Sequence, residues 1–114
     1  MSDQIELCSV KKNLIEDRVV VQWFVYMVRT QCNTLYTGIT TDVDRRFSEH
    51  LACFEGVSKK GAKYFRGRKP KEVVYTEVYE SRSTASRREY EIKKMSAMAK
   101  KTLVGKAESM TLAL

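Results

Sequence analysis

The stretch that decides the fold is Trp23–Thr40, which reads WFVYMVRTQCNTLYTGIT. It continues a β-branched and aromatic run that begins at Val19 and is typical of a strand buried on both faces. Residues 30–34 have the composition of a hairpin loop, and Leu35–Ile39 has that of a returning strand. The sequence therefore predicts an antiparallel hairpin near the start of the domain.

A turn centred on Cys32 predicts the register of this hairpin. It places Tyr26 opposite Gly38 and Val28 opposite Tyr36, so that the two tyrosines share one face as diagonal neighbours. A glycine inside a strand often marks a close approach of a ligand or of another backbone. The alternative is two ordinary strand tyrosines with their hydroxyls in water.

The pattern after the hairpin predicts helices around one more strand. Thr41 offers a hydroxyl cap for a first helix that runs to about Ala52. The following elements are a strand at Glu72–Tyr79, a helix at Thr84–Met95 capped by Ser81 or Ser83, and a short helix at Ala97–Val104 that Gly105 ends. The predicted fold is α+β, a three-stranded antiparallel sheet flanked by helices in the order β-β-α-β-α-α. Residues 1–20 are an N-terminal extension, 21–105 the domain and 106–114 a C-terminal tail.

Length and composition exclude several classes of protein. The chain has 114 residues, enough for one domain with its own core. Its three cysteines and single histidine are too few and too widely spaced for a zinc site, and reduced thiols are expected. The apolar run Val19–Val28 is half the length of a membrane span. Early acids, Asp3 and Glu6, argue against a secretory signal, so we expect a cytoplasmic protein without membrane contact.

The net charge of +7 is concentrated in one segment. Residues Lys59–Lys71 contain seven lysines and arginines and no acid, and the rest of the chain is balanced. Glycines and the aromatic residues Tyr64 and Phe65 are interleaved with the charges, as expected for a loop that follows a phosphate backbone. The candidate nucleic-acid contacts are Lys63, Arg66, Arg68 and Lys69. The alternative is a solvated loop without a partner.

Three further residues stand out on the predicted helices. Arg46 and His50 are four residues apart, on a stripe beside the apolar one, and they would suit a phosphate clamp with a nearby imidazole. The alternative is an ordinary solvated helix face. Glu89 lies on the apolar stripe of the next helix, where an unpaired carboxylate is costly. It must therefore be paired with a cation, such as Arg88 or an arginine of the first helix, or bind Mg²⁺.

The combination resembles the GIY-YIG nuclease domain, in particular its small stand-alone bacterial members. The resemblance covers roughly residues 22–104, with Phe24 and Thr37 departing from the family pattern at positions that carry no chemistry. Five segments carry it, in this order: 24–26 (FVY), 36–38 (YTG), 42–50 (DVDRRFSEH), 61–67 (GAKYFRG) and 88–93 (REYEIK).

This resemblance implies metal-dependent hydrolysis of phosphodiester bonds in DNA, in the setting of repair or recombination. Its catalytic residues would be Tyr26, Tyr36, Arg46, His50 and Glu89. Glu89 would hold Mg²⁺ or Mn²⁺, Arg46 would stabilise the transition state, and one of the two tyrosines would orient or deprotonate water. A tyrosine with a pKa near 10 is ionised to only about 0.1% at pH 7, so nearby cations would have to lower that pKa.

Two other functions are compatible with the same sequence. One is a non-catalytic DNA- or RNA-binding module that keeps the fold and the basic loop. The other is a protein-interaction domain whose nuclease partner lies elsewhere. The sequence does not decide which tyrosine is the base, whether His50 takes part or only packs, or the oligomeric state.

Overall fold

The structure is a computed structural model that describes residues 12–15 and 18–113, with side chains described for 21–108. The central sheet has the strand order β4-β3-β5, and both of its strand pairs are antiparallel. The predicted three-stranded sheet and its element order are confirmed. The strands are β1 (Lys12–Ile15), β2 (Arg18–Val21), β3 (Trp23–Thr30), β4 (Leu35–Thr40) and β5 (Pro70–Tyr79), and the helices are α1 (Val43–Phe54), α2 (Arg82–Lys93) and α3 (Ala97–Ala113), with a 3-10 turn at Lys63–Arg66.

The register of the hairpin β3-β4 is the predicted one. Tyr26 pairs with Gly38 and Val28 pairs with Tyr36. On its other side β3 pairs with β5, with a register shift between Met27 and Val28. β3 is therefore the central strand, and its alternate residues supply both faces of the sheet.

The two faces of the sheet are covered by different elements. On the first face, which we call the aliphatic face, α2 and α3 pack on the sheet, α2 against β3 and its neighbours and α3 against β5. Its fully buried residues are Val25, Met27, Ala85, Ile92 and Val104. On the second, which we call the aromatic face, α1 and the 3-10 turn pack on β3. The buried or partly buried residues there include Tyr26, Val28, Tyr36, Phe47 and Phe65.

The N-terminal part of the chain differs from the sequence prediction. A single strand from Val19 was expected, but the backbone leaves the strand conformation at Gln22. β2 pairs with β1 instead, with Lys12 opposite Val21, and the two form a separate two-stranded sheet. Alternation and β-branching identify strand residues but do not say which partner they pair with, so the break was missed. The remainder of the predicted extension, 1–11 and 16–17, lies outside the described residues.

The helix termini confirm one predicted cap and correct two predictions. Ser81 Oγ accepts a hydrogen bond from Thr84 N–H at 3.2 Å at the start of α2, as predicted. At the start of α1 the cap is the Asp42 carboxylate, which accepts from Arg45 N–H at 3.0 Å, rather than the Thr41 hydroxyl. Gly105 does not end α3, which continues to Ala113 through the predicted tail. A glycine costs a helix only about 0.5–1 kcal/mol, and the packing of Val104 offsets that amount.

No helix within the described residues is long and apolar enough to cross a membrane.

Candidate active site

Tyr26 and Gly38 form the floor of the site. The Tyr26 ring lies across the glycine, so a Cβ atom built on Gly38 would stand 2.8 Å from the Tyr26 hydroxyl and 2.9 Å from Cζ. The close approach expected at this glycine is therefore made by the opposing tyrosine. Any larger residue at position 38 would displace the ring that the rest of the site contacts.

The Tyr26 hydroxyl is hydrogen-bonded to a buried histidine of α1. Its oxygen lies 2.7 Å from His50 Nε2, and the two residues are 1% and 0% exposed. Burial, together with the positive charge of Arg46, lowers the pKa of His50 to about 4, so the imidazole is neutral at pH 7. Ala62 N–H donates to His50 Nδ1 at 3.5 Å. In a neutral ring this leaves the proton on Nε2, which donates to the Tyr26 oxygen.

The pKa of Tyr26 is raised well above its ordinary value. Burial is the main cause, the neighbouring Tyr36 adds to it, and Arg46 opposes it. Arg46 lowers the pKa of Tyr26, as expected of a nearby cation, but its effect is smaller than that of the loss of water. Tyr26 is consequently a neutral hydroxyl at physiological pH.

Tyr36 is the more accessible of the two tyrosines. It is half-buried, and its ring centroid lies 6.2 Å from that of Tyr26 and 5.2 Å from that of His50. Phe65 and Tyr64 of the 3-10 turn pack on it at 4.9 and 5.3 Å. The Tyr36 ring is therefore held in an aromatic cluster, while part of the residue stays accessible to solvent.

Arg46 stands beside Tyr26 and is held in place by two acceptors. Its Nη1 donates to Glu49 Oε1 at 2.7 Å and to the carbonyl of Lys60 at 2.9 Å. Its charge also acts on the Tyr26 hydroxyl. One edge of the guanidinium is thus fixed to the protein, and Arg46 has further donors for another acceptor.

Gly61 brings the basic loop against α1, a role that sequence reasoning missed. A Cβ atom at this position would lie 2.6 Å from Cys53 Cβ and 2.7 Å from the carbonyl oxygen of Glu49. Only a glycine permits this approach, and its neighbours Lys60 and Ala62 are the residues that bond Arg46 and His50. The signals in the sequence were a glycine inside a run of charges and the place of Gly61 in the segment 61–67, which carries part of the family resemblance.

The basic loop forms an exposed cationic surface next to this cluster. Phe65 is buried against His50 at 4.4 Å between ring centroids and anchors the loop. All four predicted contact residues are exposed, and none of them takes part in an ion pair among the side chains described for 21–108. These residues are Lys63, Arg66, Arg68 and Lys69.

Glu89 is not brought into contact with the tyrosines. It lies on α2, whose buried residues pack on the aliphatic face, and its side chain is 21% exposed. Its partner is Lys93 at 3.2 Å, rather than Arg88 or an arginine of α1. Among the described residues no three His, Cys, Asp or Glu side chains form a cluster that could hold a metal. Mg²⁺ often binds through one carboxylate with waters and substrate phosphates, and a half-buried Glu89 fits that mode.

Arg88 belongs to a polar network that the sequence did not reveal. Its guanidinium donates to both carboxylate oxygens of Glu77 on β5, at 3.0 and 3.1 Å. Tyr75 and Tyr79 donate their hydroxyls to the same carboxylate. Burial disfavours the charged carboxylate, but Arg88 and the two hydroxyls outweigh it and keep the pKa of Glu77 below its usual value. The network fastens α2 to the sheet.

The comparisons with known proteins agree on one family. Residues 22–102 match the family described as GIY-YIG catalytic domain. The chain is 50% identical over 86 residues to the UPF0213 protein DP2720 of Desulfotalea psychrophila, covering 75% of this chain and 74% of that one. It is 44% identical over 82 residues to the UPF0213 protein YhbQ of Escherichia coli K12, covering 72% and 76%. The solution structure of the UPF0213 protein BH0048 from Bacillus halodurans is 43% identical and covers 74% of this chain and 83% of that one, with a TM-score of 0.46.

Proposed function

The chain belongs to the GIY-YIG catalytic domain family, and we propose that it is a divalent-metal-dependent endonuclease that hydrolyses phosphodiester bonds in DNA. Nucleases are typical of the family, and they generally use divalent metal ions. The observation that carries the proposal is the buried Tyr26–His50 hydrogen bond beside Arg46 and Tyr36. A protein that only bound the nucleic-acid backbone through surface charge would not need the buried polar pair Tyr26–His50 next to the half-buried Tyr36.

We assign the role of orienting and deprotonating the attacking water to Tyr36. Its half-buried side chain can meet water, whereas Tyr26 is buried, neutral and engaged by His50. Because His50 Nε2–H donates to the Tyr26 oxygen, the Tyr26 proton is free to point toward Tyr36, whose ring centroid lies 6.2 Å from that of Tyr26. A donor aimed at the Tyr36 oxygen favours its ionised form. His50 and Tyr26 thus favour the ionised form of Tyr36, and neither of them deprotonates the water itself.

Arg46 is the candidate for stabilising the transition state. As water oxygen bonds to phosphorus and the bond to the leaving sugar oxygen breaks, negative charge grows on the phosphate oxygens. A guanidinium that Glu49 and the Lys60 carbonyl hold in advance costs little reorganisation when that charge develops. Its planar fork suits two phosphate oxygens.

Glu89 is the candidate metal ligand. A bound Mg²⁺ or Mn²⁺ would neutralise charge on the scissile phosphate. Lys93, which pairs with Glu89 and is itself 53% exposed, would have to release the carboxylate. An exposed pair of this kind is worth less than about 1 kcal/mol, so its loss is a small barrier to metal binding.

The basic loop supplies affinity without sequence preference. Lys63, Arg66, Arg68 and Lys69 would contact phosphates, which makes binding dependent on salt. We propose a DNA substrate recognised by its structure, in the setting of repair or recombination. The free cysteines Cys32 and Cys53 suit the reducing cytoplasm.

One observation favours a second function, a non-catalytic nucleic-acid-binding module. Glu89 pairs with Lys93 on the helix of the aliphatic face and has no contact with the tyrosines. If it never binds metal, the aromatic cluster and the basic loop would still bind a phosphate backbone.

Incubation with nicked, branched, single-stranded and duplex DNA in Mg²⁺ or Mn²⁺ distinguishes the two functions. We expect the native protein to cleave at least one of these DNAs and the Glu89→Ala protein to cleave none. Cleavage that persists in the Glu89→Ala protein would point to a contaminant and contradict the assignment. Salt-dependent binding by both proteins without cleavage would favour the module.

A further inference from the structure

A groove beside the hairpin turn is not used by the site described above. It lies between the turn of β3-β4 and the first turns of α3, with a volume of about 330 Å³. Among the described side chains that line it, the charged ones are two lysines. It is lined by Asn33, Thr34, Leu35, Ala97, Lys100 and Lys101.

The two lysines of the groove are available to a ligand. Lys101 is exposed and Lys100 half-buried, and neither takes part in an ion pair within the part of the chain whose side chains are described. Two adjacent uncompensated cations at the rim of a groove without acids favour an anionic ligand.

The groove is continuous with the basic loop through the hairpin turn. Thr34, one of its lining residues, accepts a hydrogen bond from the Tyr64 hydroxyl at 2.7 Å, and Tyr64 packs on Tyr36. Arg68 stacks on the same Tyr64 ring, 4.4 Å from its centroid. Gln31 N–H also donates to the carbonyl of Lys69 at 3.0 Å. One uninterrupted surface therefore leads from Tyr36 across the turn to Lys100 and Lys101.

The two ends of this surface lie on opposite faces of the sheet. Tyr64 and Phe65 pack with the aromatic face, whereas Leu35 and α3 pack with the aliphatic face. A ligand that contacts both ends must bend around the hairpin turn. Intact duplex DNA resists such a bend, since its persistence length is about 150 base pairs, but a single strand follows it readily.

We infer that the Lys100–Lys101 groove binds the sugar-phosphate backbone of a flexible single strand that leaves the active site across the hairpin turn. The inference rests on the proposed function, because it extends the same DNA-binding surface and defines the substrate class. The substrates it favours are DNAs with an unpaired strand next to the cleaved bond. A straight intact duplex would contact the basic loop alone.

Binding measured without metal, so that nothing is cleaved, tests this inference. The Lys100→Gln/Lys101→Gln protein should bind single-stranded DNA more weakly, with a salt slope about 1.4 smaller, since each phosphate contact on a single strand contributes about 0.7. Its affinity for intact duplex should be unchanged. The matched control is Lys94→Gln/Lys106→Gln, which removes two exposed lysines of the same region outside the groove. The Lys100→Arg/Lys101→Arg protein should bind single strands as the native protein does.

An unchanged salt slope on single strands, or an equal loss in the control variant, would overturn the inference. An equal loss on intact duplex would overturn the flexible-strand assignment. Cleavage assays separate this result from the fate of the proposed function. If the native protein cleaves DNA but the groove variant binds normally, the inference about the groove is refuted and the proposed nuclease activity is retained. If the native protein cleaves nothing but the groove variant binds single strands weakly, the inference about the groove is retained and the proposed nuclease activity is refuted.

Discussion

Alternate residues of one strand, β3, face two surroundings that differ in chemistry. Val25 and Met27 enter a core whose fully buried side chains are all apolar, so that these side chains need only volume and shape. Tyr26 points the other way, into a cluster where a hydroxyl and an imidazole must satisfy each other in the absence of water. The aliphatic face therefore mainly stabilises the fold, and the aromatic face keeps the side chains of the site in a fixed arrangement. Apart from Glu89, the candidate metal ligand on α2, substitutions on the two faces should separate stability from activity.

Replacing Arg46 should give a large effect on activity with little effect on stability. Removing one preorganised donor to a developing oxyanion costs about 10²–10³-fold in rate. We expect Arg46→Ala to lower the rate of DNA cleavage by that factor in single-turnover assays. Arg45→Ala is the matched control, since Arg45 also pairs with Glu49 but is 48% exposed on the same helix. Equal losses in the two variants would show that total charge matters and not the position of Arg46.

Ile92→Ala on the aliphatic face should do the reverse. Ile92 is fully buried, and truncating such a side chain costs about 2–5 kcal/mol of unfolding free energy. Chemical denaturation should show this loss, while the cleavage rate per folded molecule stays native. Met98→Ala, at a side chain that is 75% exposed, should leave the midpoint unchanged. Lost activity in a folded Ile92→Ala protein would contradict the separation of the two faces.

Gly38→Ala tests the contact between the two strands of the site. The added Cβ would lie 2.8 Å from a hydroxyl that His50 holds, so the ring has no free direction in which to move. Overpacking of this kind costs about 1–3 kcal/mol, and cleavage should fall as well. Gly67→Ala meets nothing within 4 Å and should behave as the native protein. Similar behaviour of the two variants would mean that Tyr26 is not fixed over Gly38.

The pH dependence of stability should report the buried imidazole. The pKa of His50 is about 4 in the folded protein and about 6.5 in the unfolded chain, so the unfolded state binds the proton first as the pH falls. Stability is full above pH 6.5 and decreases toward pH 4, by about 2 kcal/mol between pH 7 and 5. His50 is the only histidine, so the decrease should be absent from His50→Gln. If the unfolding free energy of the two proteins changed with pH in the same way, the His50 imidazole would be exposed to water in the folded protein.

Much of the site could be predicted because its determinants are local. The hairpin register follows from the turn, and it gave the Tyr26–Gly38 and Val28–Tyr36 pairs. The spacing of Arg46 and His50 put both on one stripe of α1, and the family resemblance assigned them to one site with Tyr26. The strand register and the helical stripe depend on local periods.

The parts that were missed depend on contacts between distant segments. Nothing near Glu77 indicates that Arg88 will bind it, and nothing near Gly61 indicates that the loop will touch α1. The extension of α3 beyond Gly105 depends on tertiary packing, which overrides a weak local preference. The sequence also could not show that Lys93 is the partner of Glu89.

The smallest expected effect lies on the helix of the aliphatic face. Gly105 is inside α3, and a Cβ atom there meets nothing within 4 Å. Gly105→Ala should raise the unfolding free energy by up to about 1 kcal/mol and leave DNA cleavage unchanged. A thermal unfolding curve would detect the gain. Destabilisation would mean that α3 ends near Gly105 after all.

The central claim is that the hydroxyl of Tyr36 on the aromatic face takes part in metal-dependent cleavage. Its direct test compares two tyrosine-to-phenylalanine variants that each lose one oxygen atom, Tyr36→Phe and the 64%-exposed Tyr90→Phe of α2. In single-turnover cleavage of nicked or branched DNA with Mg²⁺ or Mn²⁺, Tyr36→Phe should be no faster than the native protein in chelator, and Tyr90→Phe should match the native rate. Equal cleavage by the two variants would contradict the account.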